Sequence, residues 1–186
     1  VPANFSSLIA ATAQWLTRAY PAPPGALSEA LADVQARQAA TVAAWLRYPT
    51  LMDAAVADVV GPGGSGRLDW IAGVEPPGPR SSEFAWRTWV DEVVASWAAC
   101  LLTDADLAAA AVAAIATCDH MAGLECDFRR LTRPDARDWR AAVLLRHPDL
   151  VASIAELHRA ELLERLGITD DPADDATDDP AGAEAA

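Results

Sequence analysis

Lysine is absent from these 186 residues, and all fourteen basic side chains are arginine. That removes Schiff-base catalysis, an internal attachment point for pyridoxal phosphate, and the lysine that a P-loop sets on a nucleotide phosphate. Cysteine is scarce as well. Cys100, Cys118 and Cys126 make an odd set with no basic-then-apolar leader ahead of them. A reduced, cytoplasmic chain is therefore expected. Long apolar runs are missing too: the most apolar window, Leu107 to Ala116, is ten residues long, against the roughly 20 that cross a bilayer. Phe and Tyr number only three and two, and with Ile and Thr also sparse the balance tips away from sheet.

What is present is alanine, within an apolar share of 52%, a bias that favours helix. Arg without Lys, with abundant Ala, Pro and Asp, is what GC-rich coding produces, and it points to an actinobacterial genome or a phage of such a host. The net charge of −13 is uneven. Asp170, Asp171, Asp174, Asp175, Asp178, Asp179 and Glu184 crowd the last eighteen residues with no base among them. An acidic body argues against binding nucleic acid over a broad surface or lying on anionic lipid, both of which need positive fields.

Seven helices are expected. The first runs from Ser6 to Ala19, capped by Asn4 or Ser6 and ended by the turn Pro21 to Gly25. The second, Ser28 to Arg47, carries Leu31, Val34, Val42, Trp45 and Leu46 at helical spacing and stops before Pro49. Thr50 with Asp53 has the spacing of a cap for a third helix, Leu51 to Val60. A Gly- and Pro-rich loop, 61–82, follows. The fourth helix, Glu83 to Leu102, shows the stripe Trp86, Val90, Val93, Trp97, Leu101. Thr103 is read as capping a long fifth helix to Leu131, with a break available at Gly123. Asp135 caps a sixth, Ala136 to Arg146, and the seventh spans Leu150 to Leu166 before Gly167. The expected architecture is thus all-α: one domain of six or seven packed helices over 1–168, with an acidic tail, 169–186, too poor in apolar residues to order itself.

Candidate sites are few. Cys118, His120, Cys126 and the neighbouring carboxylates resemble a metal cluster in type. On one continuous helix at about 100° per residue, however, His120 and Cys118 point apart and Cys126 lies about a further 12 Å along. No metal is expected there unless the helix breaks, and Cys118 reads as a small buried hydrophobe. Gly61 to Arg67 has phosphate-loop composition but follows a helix instead of a strand. His158, Glu161 and Arg165 share a helix face without a nucleophile, and read as a salt cluster. No catalytic residue and no cofactor emerge.

Two features point to binding. Arg129, Arg130, Arg133, Arg137 and Arg140, continued by Arg146 and accompanied by Phe128 and Trp139, form a basic neighbourhood that could hold phosphates, stack bases or attract the chain's own acidic tail. Trp70 and Ile71 sit in the long loop, where an aromatic would anchor a partner. The leading expectation is a non-enzymatic interaction or assembly protein, such as an adaptor, a chaperone or a phage structural component, acting on a protein partner or on itself. The alternatives are a small helical enzyme or metal protein with ligands from distant helices, and a nucleic-acid binder using Arg129 to Arg146.

Overall fold

Gly25, at φ 133°, turns the chain into a conformation that side-chain-bearing residues rarely adopt. It thereby releases the longest helix among the described residues. The computed structural model describes residues 4–60, 90–145 and 159–168. Among them the chain is all-α and forms one packed domain, with no strand. We number the helices α1 (Ser6–Ala19), α2 (Ala26–Arg47), α3 (Leu51–Val60), α4 (Glu92–Thr103), α5 (Ala105–Ile115), α6 (Arg129–Thr132) and α7 (Ala136–Ala141). Single 3₁₀ turns lie at Asp119–Met121 and Val143–Leu145, and residues 159–166 are helical again.

The hub is α2. It packs against α1, α4, α5, α6 and α7, and Ala36, Ala39, Ala40, Ala43 and Ala44 are all buried along it. Helix axes approach as closely as the side chains between them allow, so this alanine surface brings α4 near, itself lined by Ala95, Ala98 and Ala99. Larger residues fill the remaining space: Trp45, Leu46 and Val42 from α2, Trp97 and Leu101 from α4, Leu8 and Leu16 from α1.

Caps fix the helix ends. The Asn4 side chain accepts from the Ser6 N–H at 3.1 Å. Thr50 and Asp53 cap α3 reciprocally: the Asp53 N–H donates to Thr50 Oγ1, and Asp53 Oδ2 accepts from both the N–H and the hydroxyl of Thr50. Asp135 and Asp138 form the same kind of box on α7. After the last helical turn, Gly167 at φ 66° allows its own N–H to reach the Glu164 carbonyl and that of Ile168 to reach Leu163, the Schellman pattern.

Four boundaries differ from the sequence expectation. The second helix starts at Ala26, two residues early, because Gly25 and not Ser28 makes the turn. Helix α4 begins at Glu92, so Val90 precedes it. Asp91 is its extended N-cap, accepting from the Val93 N–H at 3.0 Å. The expected long fifth helix ends at Ile115, well before Gly123, and its cap is Asp104, which accepts from Asp106 and Leu107 at 3.0 and 2.9 Å. Thr103 instead closes α4 by bonding back to the Cys100 carbonyl. After Ile115 the chain turns, and His120 is drawn into the core against Phe5 and Trp45; that tertiary contact outweighs helical continuation. Finally, α7 stops at Ala141 and passes into the 3₁₀ turn.

The expected 61–82 loop, the helical stretch 83–89, the segment 150–158 and the acidic tail 169–186 lie outside the described residues. Among those described, no helix is long and apolar enough to cross a membrane.

Candidate interaction surface

The most elaborate polar arrangement is buried and holds elements together. The Tyr48 hydroxyl donates to Asp91 Oδ2 at 2.5 Å, while Asp91 Oδ1 caps α4. One buried carboxylate thereby ties the end of α2 to the start of α4. Burial, reinforced by the negative charge of Asp91, pushes the Tyr48 phenol above its ordinary value. His120 Nε2 hydrogen-bonds the Tyr48 backbone carbonyl, and its ring packs edge-on to Phe5 at 4.9 Å between centroids. Nδ1 of His120 is buried without a hydrogen-bond partner. Acid–base work needs a group within reach of a substrate proton, and Asp91 and His120 are both shut away from solvent. The arrangement is a clasp.

The Cys118–His120–Cys126 set does not converge. Cys118 is half-buried, His120 is buried and Cys126 is exposed, and no group of three metal-ligating side chains is gathered among the described residues. Of the expected salt cluster, Glu161 and Arg165 stand 3.9 Å apart, and His158 lies outside the described residues. Arg165 does more than was expected: its guanidinium donates to the Leu46 carbonyl at 2.6 Å and lies over the Trp97 ring. That contact pins the last helix to the end of α2.

The arginines of the basic neighbourhood have different tasks. Arg130 reaches the buried Asp138 at 2.5 Å, which fastens α6 to α7. Arg129, Arg133, Arg137 and Arg140 are exposed, as is Trp139, whereas Phe128 is buried against Trp45. The Asp135 carboxyl is held below its ordinary range, first by backbone N–H donation from Asp138 and then from Arg137. Arg146, Trp70 and Ile71 lie outside the described residues. An open groove of about 360 Å³ between α1 and α2 is lined by Thr17, Glu29 and Asp33 among others, but Asp33 is already engaged by Arg37 at 2.7 Å.

The surface that stands out is one that the helix-by-helix reading missed. Over residues 51–59 of α3 the buried side chains are Ala54 and Ala57, at 2% and 6% exposure, while Leu51, Met52, Val56 and Val59 are 48%, 74%, 47% and 71% exposed. At about 100° per residue, Leu51, Ala55, Val59, Met52 and Val56 fall on one apolar arc of about 140°, bordered by Asp58 on one side and, past the position of Val60, by Asp53 on the other. Among the described residues, α3 packs against α1. The signal was in the sequence: eight of the ten residues Leu51 to Val60 are apolar, with Asp53 and Asp58 the exceptions, which is more apolar surface than one core-facing stripe requires. Comparison with known protein families, with curated proteins and with solved structures finds no match.

Proposed function

We propose that this chain is a non-enzymatic interaction or assembly protein that works through the outer face of α3. The observation that supports this reading is the inversion on that helix, with small residues inside and large apolar residues outside. Burying a Val, Leu or Met side chain fully is worth about 1.5–3 kcal/mol, so leaving four of them 47–74% exposed forgoes several kcal/mol that a partner would recover. Among the described residues, Tyr48, Asp91 and His120, by contrast, bond to one another and to the backbone and hold the fold.

The test is a photo-crosslinking residue in place of Ala55, at the middle of the exposed arc, activated in cells of the source organism. Discrete adducts that vanish when Val56→Asp is added support the reading. Adducts that persist with Val56→Asp, or none at all, overturn it.

A second reading rests on the Arg face, where exposed Arg129, Arg133 and Arg137 accompany the exposed ring of Trp139. Nucleic-acid binding there requires an affinity that falls steeply with salt and drops with Trp139→Ala. Binding that ignores both removes this reading.

A further inference from the structure

Resting on the proposed role of α3, its borders specify the partner's chemistry. The apolar arc carries Met52, Val56 and Val59 at spacings of four and three, the seam that one helix offers another. Methionine at its most exposed point supplies an adaptable contact. Both edges are acidic. Asp53 lies beyond Val56, and Asp58 lies beside Leu51. The nearest cation along the chain on the N-terminal side, Arg47, is folded over the Tyr48 ring at 5.1 Å.

We propose that the α3 stripe binds a cationic amphipathic helix of another protein, whose apolar face lies along Leu51, Met52, Val56 and Val59 and whose flanking basic residues meet Asp53 and Asp58. Charge decides between occupants. A second copy of this chain would bring Asp53 and Asp58 against their own counterparts, and each copy carries a net charge of −13, so self-pairing meets repulsion at both edges. An anionic lipid surface meets the same repulsion. A basic helix meets attraction at both edges and supplies the apolar cover that the stripe lacks.

The test titrates the full chain with two synthetic peptides of about 15 residues, long enough to form helix, with the same leucine stripe but bordered either by Arg or by Glu. The Arg-bordered peptide binds more tightly, by on the order of tenfold, and the gap narrows as salt is added. Met52→Asp weakens it by a similar factor without lowering the melting temperature. Asp58→Arg, at an exposed position, shifts preference toward the Glu-bordered peptide. Equal binding of the two peptides, no binding, or binding indifferent to Met52→Asp overturns the proposal. A dimer in native mass spectrometry that Val56→Asp dissociates also overturns it, yet leaves α3 as an interaction surface. A large fall in melting temperature with Met52→Asp shows that the chain itself covers the stripe, which removes the proposal and the wider reading together.

Discussion

Helices α2 and α3 are joined by three residues and both turn alanine inward, yet they do opposite things with their large side chains. On α2 the alanines admit α4 closely, and Trp45, Leu46 and Val42 are buried beside them. On α3, Ala54 and Ala57 rest on the body while Leu51, Met52, Val56 and Val59 face outward. Alanine content therefore does not distinguish a core helix from a docking helix. The placement of the large apolar residues does, because each carries the greater share of apolar area and so most of the stabilisation on offer.

The comparison breaks most severely at the α4 side of the core. Trp97 is fully buried, and Trp97→Ala should cost about 3–5 kcal/mol in urea unfolding, with loss of the Arg165 contact as well. Asp91→Ala should cost about 2–4 kcal/mol, since it removes a helix cap and leaves the Tyr48 hydroxyl without its acceptor. The same contact sets an alkaline limit. With the Tyr48 phenol raised by burial and by Asp91, its contribution is complete below the unfolded value of about 10 and is lost as pH rises above it. Stability curves of the wild type and Tyr48→Phe should therefore converge in strong base, and parallel curves would contradict this.

A smaller effect of opposite sign is expected inside α2. Both amide atoms of Gln35 are buried without hydrogen-bond partners, and a buried orphan of this kind costs about 1–3 kcal/mol. Gln35→Met, close in shape, should therefore stabilise the protein, and a midpoint shift in denaturant reads the gain directly. Destabilisation would show that the amide has a partner in solution.

Much of the fold was legible because its signals are local. Pro49, the Thr50–Asp53 pair, Asp135 and Gly167 each act within a few residues, and each sits where its chemistry implies. The failures were tertiary. Nothing near Thr117 or Cys118 announces that His120 will leave the helix to bond a carbonyl 72 residues away, and Asp91 becomes a cap partly because Tyr48, 43 residues earlier, holds it. The candidate site was less legible. Arginine and tryptophan carry a recognisable binding chemistry in a sequence, whereas the exposed stripe consists of ordinary aliphatic side chains. Their number on α3 was visible, but which of them face the body depends on packing that a single helix does not encode.

The most direct measurement is the change in unfolding free energy for Met52→Ala in the isolated protein. A residue that faces solvent until a partner arrives should change stability by no more than about 0.5 kcal/mol, while the same substitution weakens binding of the Arg-bordered peptide. A cost of about 2–5 kcal/mol, the range for truncating a buried methionine, would contradict the account and place the outer face of α3 within the protein's own core.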